Sequence, residues 1–120
     1  MNTEFVGRWG EEKAAGYLKK RGYSIIGMNY KCRLGEIDII AQNRKYVVFC
    51  EVKLRKSAKF AQAREFVTGR KQERLRNTAA IWLSQNETGR QPRFDVIEVY
   101  APNGIDDSNY EINHIENAFE

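Results

Sequence analysis

Four charged residues lie where charge is expensive. Glu36 and Asp38 sit in the run Gly35-Glu36-Ile37-Asp38-Ile39-Ile40, and Glu51 and Lys53 in Val48-Phe49-Cys50-Glu51-Val52-Lys53, the most apolar part of the chain. A charge buried there must be paired or hold a metal. Residues two apart on a strand share a face, so Glu36 goes with Asp38 and Glu51 with Lys53. Whether all four share one face depends on the hairpin between the strands. A two-residue loop at Asn43-Arg44 sets Asp38 opposite Phe49, with Glu51 opposite Glu36 and diagonal to Asp38. A four-residue loop sets Asp38 directly opposite Glu51. Only an odd loop or a bulge sends the pairs to opposite faces. Converging carboxylates suit Mg²⁺, a hard ion that takes oxygen ligands. Such an ion binds a phosphate oxygen and acidifies water, and Lys53 would place an ammonium near the reacting phosphorus. The competing explanation is a salt bridge within the sheet, Lys53 with Glu51 or Asp38.

These residues need strands, and the strands need cover. Residues 24–31, 36–42 and 46–54 read as three strands. The third is apolar on both faces: Val48, Cys50, Val52 and Leu54 on one, Val47 and Phe49 on the other. Such a strand belongs inside a sheet covered on each side. The first helix is expected over about residues 3–21, with Val6, Gly10, Ala14, Tyr17 and Leu18 on its buried face and Gly22 at its end. Gly7, Gly10 and Gly16 lower its intrinsic helicity and permit close packing. Thr68 is a plausible N-cap for a second helix to about Asn86, burying Leu75, Ala79, Trp82 and Leu83. Residues 57–67 are either loop or short helix. Strands at about 93–100 and 110–115 follow. The order is αβββ(α)αββ, a mixed sheet flanked by helices in the α/β class.

Length and charge narrow the function. The 120 residues, 42% hydrophobic and 30% charged, suit one globular domain over 1–120 and exclude collagen, coiled coil and whole-chain disorder. Hydrophobic runs extend no further than the five residues 46–50, too short for a membrane span, and the N-terminus has no signal-peptide core. The expected compartment is the cytoplasm. Cys32 and Cys50 form no CxxC and read as reduced thiols; with His114 the only histidine, no structural zinc site is expected. Residues 53–76 hold nine Lys or Arg against two acids, whereas 95–120 hold seven acids and no Lys or Arg. The basic block, with Arg55, Lys56, Lys59, Arg70, Lys71 and Arg74, would attract a phosphate backbone. On charge alone a solvated helix face is the better explanation. The acidic tail reads as a solvated strand edge. His114 reads as a hydrogen-bonding strand residue, and Trp9 and Trp82 as core or interface.

The two central runs resemble the bipartite signature of the PD-(D/E)xK nuclease superfamily. Further motifs are Gly10-Glu11 with Ala14 and Leu18, Gly22-Tyr23, Asn29, Lys71-Gln72, Arg93-Phe94-Asp95-Val96 and His114-Ile115-Glu116-Asn117-Ala118-Phe119. In this order they resemble, over nearly the whole chain, the small bacterial YraN-like family, which is similar to archaeal Holliday junction resolvases. The resemblance implies a restriction-endonuclease-like αβββαβ core. It implies a metal-dependent endonuclease hydrolysing phosphodiester bonds of DNA, branched or recombination intermediates among them, to leave 5′-phosphates. Asp38 and Glu51 would hold Mg²⁺ or Mn²⁺, Lys53 would be the catalytic lysine, and Glu11 would be a further acid at the metal. Glu36 and Gln72 would support them. No organic cofactor and no membrane are implied; a homodimer is expected by analogy with junction resolvases. The alternatives are a catalytically idle module gripping nucleic acid through 53–76, and an interaction protein whose acids form a salt-bridge network. Cys50, where the related pattern carries Val, falls on the face away from Glu51 and is expected to change packing only.

Overall fold

The computed structural model describes residues 3–55, 68–105 and 108–120; Lys56, Lys59 and the stretch 57–67 lie outside them. The elements are α1 (Thr3–Lys20), β1 (Ser24–Cys32), β2 (Gly35–Gln42), β3 (Tyr46–Arg55), α2 (Gly69–Gln85), β4 (Gln91–Tyr100) and β5 (Glu111–Phe119). One five-stranded sheet has the order β1-β2-β3-β4-β5. All neighbours are antiparallel except β3 and β4, which are parallel and joined through α2. This is the mixed, helix-flanked α/β sheet expected, compatible with a restriction-endonuclease-like core. No helix among the described residues is long and apolar enough to cross a membrane.

β3 is buried because both its faces are covered. Val47 and Phe49 pack under α2 with Leu75, Ala79 and Trp82. Val48 and Cys50 pack under α1 with Ala14, Ala15 and Leu18. Of the three glycines inside α1, only Gly10 serves close packing: a Cβ there would lie 3.8 Å from Leu54, whereas Gly7 and Gly16 face nothing within 4 Å. Thr68 caps α2, its hydroxyl accepting from the Lys71 amide at 3.2 Å. β5 continues to Phe119, beyond the expected end at residue 115, because Phe119 stacks on Phe94 at 5.0 Å between ring centroids.

Gly35 fixes the spacing between β2 and α2. Its φ is +155°, and a Cβ would meet Thr78 Oγ1 at 2.8 Å. Thr78 is fully buried and bonded to the Arg74 carbonyl, so it cannot withdraw. Gly35→Ala is expected to cost about 2 kcal/mol through overpacking and backbone strain. A lowered denaturation midpoint with an unchanged denaturant slope would register this.

Candidate functional site

The β2–β3 hairpin decides the geometry. Its pairs run from Gln42–Val47 to Ile39–Cys50, and the Asn43 amide donates to the Tyr46 carbonyl at 3.0 Å. The loop is therefore the four-residue one, and its register puts Asp38 opposite Glu51. The ladder stops before that pair. In its place, Asp38 Oδ2 accepts from the Val52 amide at 2.8 Å. β2 is irregular here: Ile37 packs under α2 and Ile39 under α1, although residues two apart on a regular strand share a face. On β1, Asn29 falls opposite Asp38, has φ +53° and makes no pair in the ladder. Two distorted strands thus set Asp38 at the mouth of the sheet.

Four carboxyl groups gather round this point. Glu11, from α1, shares hydrogen bonds with Asn29 and Asp38. Burial, followed by the charge of Glu51 and those of Glu11 and Glu36, pushes Asp38 up to about 7, against the lowering effect of the Val52 amide. Glu11 is raised by burial and by the charges of Glu36 and Glu51. Glu51 is nearly buried; its Oε1 lies 3.4 Å from Lys53 Nζ and 2.5 Å from Lys71 Nζ. Burial and the neighbouring Lys71 lower Lys53. Burial opposes the charge on Lys71, but Glu51 outweighs it and Lys71 is raised.

All of these groups but Lys53 line two adjoining hollows. One, of about 460 Å³, is bounded by Gly35, Glu36, Asp38 and Glu51 from the sheet and by Thr68, Arg70, Lys71, Arg74 and Leu75 from α2. The other, of about 370 Å³, is bounded by Gly7, Arg8, Glu11, Asn29, Lys31 and Glu36. Glu36 borders both. An acidic centre is flanked by Arg70, Lys71 and Arg74 on one side and by Arg8 and Lys31 on the other.

Most residues singled out in the sequence meet here: Glu11, Glu36, Asp38, Glu51, Lys53, Arg70, Lys71 and Arg74. Gln72 and Arg55 do not border either hollow; Arg55 ends β3, its carbonyl accepting from the Ala101 amide. Lys71, expected as a phosphate contact, turns inward to Glu51. Arg8 and Lys31 carried no functional signal of their own, and Asn29 stood only among the motifs of the resemblance, with no role assigned. Cys50 lies under α1, away from Glu51, as expected.

The donor set suits a hard divalent cation. It is all carboxylate oxygen, and both Asp38 and Glu11 are raised, by burial first and then by neighbouring carboxylates, chiefly Glu51 for Asp38 and Glu36 for Glu11. Among the described residues, however, no three His, Cys, Asp or Glu side chains already stand as a ligand cluster. Glu51 is committed to the two lysines instead.

A second polar cluster lies on the α1 side of the sheet. The fully buried Asp95 accepts from Arg93 Nε and Nη2 at 2.9 and 2.8 Å and from the Asn117 amide at 3.0 Å. His114 Nε2 stands 2.6 Å from Asp95 Oδ2, and its Nδ1 3.2 Å from the Tyr17 hydroxyl.

The sequence comparisons bear on the same residues. The model of a family described as "Uncharacterised protein family UPF0102" matches residues 10–99. The chain belongs to the UPF0102 family. A UPF0102 protein of Caldicellulosiruptor saccharolyticus is 42% identical over 99% of this chain and 100% of its own. One of Caldanaerobacter subterraneus is 44% identical over 99% and 98%, and one of Clostridium botulinum 41% over 96% and 94%. The family match spans Glu11, Asp38, Glu51, Lys53 and Lys71, so the UPF0102 region contains the whole acidic centre. The YraN-like resemblance of the sequence holds at this level.

Proposed function

We propose that this protein is a divalent-metal-dependent endonuclease of the PD-(D/E)xK type, acting on DNA. The observation that carries the reading is that Asp38 and Glu51 line one hollow whose α2 wall is basic, with Glu11 on the adjoining hollow and within hydrogen-bond reach of Asp38. A nearly buried carboxylate beside a half-buried one is costly, and a phosphodiester brought into an acidic hollow repels it. A cation removes both costs. Asp38 and Glu51, with Glu11 beside them, would hold Mg²⁺ or Mn²⁺. When bound, the ion offsets phosphate charge and acidifies water.

The remaining work falls to the chain itself. Arg70 and Arg74 on α2, and Arg8 and Lys31 across the hollow, would hold the backbone on either side of the cut. A site with cations on both flanks accepts a continuous strand, which favours internal cleavage over trimming from an end. Lys53 borders neither hollow but holds its ammonium 3.4 Å from Glu51 Oε1. Its lowered proton affinity eases a proton transfer, and its charge meets negative charge developing at phosphorus.

The test exposes the protein to supercoiled, linear, single-stranded and four-way DNA with Mg²⁺, Mn²⁺ or chelator, beside an Asp38→Asn control. Cutting that needs metal and is lost in the control supports the nuclease. Salt-sensitive binding with no cutting under any metal makes the protein a binding module. Neither binding nor cutting leaves the carboxylates as a structural network.

Arg70 and Arg74 offer a separate measure. Each phosphate contact removed lowers the slope of log affinity against log salt by about 0.9. The double variant Arg70→Ala/Arg74→Ala is expected to bind duplex more weakly and to lose about two units of slope. An unchanged slope would take these arginines out of the interface.

A further inference from the structure

Lys71 is closer to Glu51 than Lys53 is, 2.5 Å against 3.4 Å, and on the same oxygen. The Glu51 side chain is only 9% exposed, so water screens this pair poorly. The Lys71 side chain is 38% exposed, although its ammonium meets the nearly buried Glu51. On the same rim stand Arg70 and Arg74. This explains why the carboxylates do not already form a ligand cluster. Asp38 has one oxygen on the Val52 amide, and Glu51 is turned to a lysine of the opposite helix. A cation already stands at Glu51, and it belongs to the protein.

We propose that Lys71 is a placeholder cation, holding Glu51 until a backbone phosphate draws it away, so that metal and nucleic acid each promote binding of the other. The proposal rests on the nuclease reading above. The rim arginines bring a phosphate to within reach of the flexible lysine stem, which then exchanges one anion for another. Glu51 is left with its nearer cation gone and only Lys53, at 3.4 Å, to offset its charge, which is the state that takes up a divalent ion. Linkage makes the effect reciprocal: whatever factor DNA adds to metal affinity, metal adds to DNA affinity.

The experiment is calorimetric titration of the full chain with Mn²⁺, alone and with a short phosphorothioate duplex. Wild type should bind Mn²⁺ about tenfold tighter with duplex than without, a coupling of ordinary size. Lys71→Met should bind Mn²⁺ about tenfold tighter than wild type without duplex, and gain nothing when duplex is added. Lys71→Arg, whose forked guanidinium grips a carboxylate at two points, should bind Mn²⁺ more weakly than wild type, and it decides the matter where Lys71→Met does not fold. Equal Mn²⁺ affinity in wild type and Lys71→Met, or affinity in Lys71→Arg no weaker than wild type, overturns the placeholder. If Asp38→Asn abolishes binding in those same titrations, the metal site survives that failure. No Mn²⁺ binding by any variant, with or without duplex, removes the metal reading and this proposal with it.

Discussion

Asp38→Asn is expected to abolish metal-dependent cutting and, in the metal-free protein, to make the fold more stable above pH 7. The first half follows from the loss of a charged group at the reacting centre; removal of one such preorganised group costs about a thousandfold. The second half follows from the sign of the proton affinity. Folding raises Asp38 from 3.8 to about 7, through burial first and then through Glu51, Glu11 and Glu36. Between pH ~4 and ~7 the unfolded chain has released this proton and the folded chain keeps it. Stability from this group is therefore fully present below pH ~4, falls as pH rises through that window, and stays low above it. An asparagine carries no titrating proton and still offers an oxygen to the Val52 amide. The gain has an upper limit of about 4 kcal/mol, at about 1.4 kcal/mol for each tenfold change in proton affinity, and the partial exposure of Asp38 reduces it to roughly half. Denaturant midpoints at pH 5 and pH 8 with chelator present would measure it. The variant should gain on wild type between the two. Excess Mg²⁺ should reverse the order at pH 8, because only wild type binds it. If the variant is less stable by the same amount at both pH values, Asp38 is simply the acceptor of a backbone bond, and its charge has no special environment.

A residue that is better for folding when removed is the mark of a site shaped for something else. The same logic explains what the sequence made legible. Charges two apart within apolar runs flagged Asp38 and Glu51, because alternation on a strand is a local rule. The loop proved to be one of the even ones, as the common face required, although the ladder stops one pair short of Asp38 and Glu51. Lys71 was not legible as a partner. Nothing local distinguishes it from Arg70 and Arg74, and which of three basic residues turns inward depends on how α2 lies over β3. Its place next to Glu51 joins residues twenty apart in sequence across two elements. Of the buried cluster round Asp95 only His114 was read correctly, as a hydrogen-bonding strand residue; its partner Asp95 was missed, for a different reason. Arg93 and Asp95 are two apart in a strand with apolar neighbours, the same pattern as Glu36 and Asp38. The acidic composition of residues 95–120 suggested a solvated edge, which holds for β5 but not for β4. With β5 added beyond it, β4 is an interior strand, and both Asp95 and Glu98 are fully buried.

Asp95→Asn should be the most damaging single change away from the acidic hollow. Asp95 joins three parts of the fold: Arg93 on its own strand, His114 and the Asn117 amide on the edge strand β5, and through His114 the Tyr17 hydroxyl on α1. Arg93 also donates to the Tyr23 hydroxyl at 2.7 Å and lies 4.7 Å over the Tyr46 ring. Burial alone would raise the Asp95 carboxyl, but His114, Arg93 and the Asn117 amide outweigh it and hold it below the usual aspartate range. A depressed acid stabilises the fold above its unfolded value near 4, and that stability is lost as pH falls through the lower, folded value. Removing the charge leaves the Arg93 guanidinium, 9% exposed, with no buried counterion; Glu116 is 3.9 Å away but more than half exposed. Breaking one side of a buried ion pair costs about 3–5 kcal/mol. The expected result is a denaturation midpoint lowered accordingly at pH 7, with the difference from wild type shrinking at acid pH as wild type itself takes up the proton. Hydrogen exchange should show where the energy went, since these contacts hold β5 where its register shifts opposite Phe94 and Val96 of β4: amides of residues 111–119 should lose protection before those of β3. A loss below about 1 kcal/mol would mean that the aromatic stack of Phe94 on Phe119 holds the edge strand without the ions.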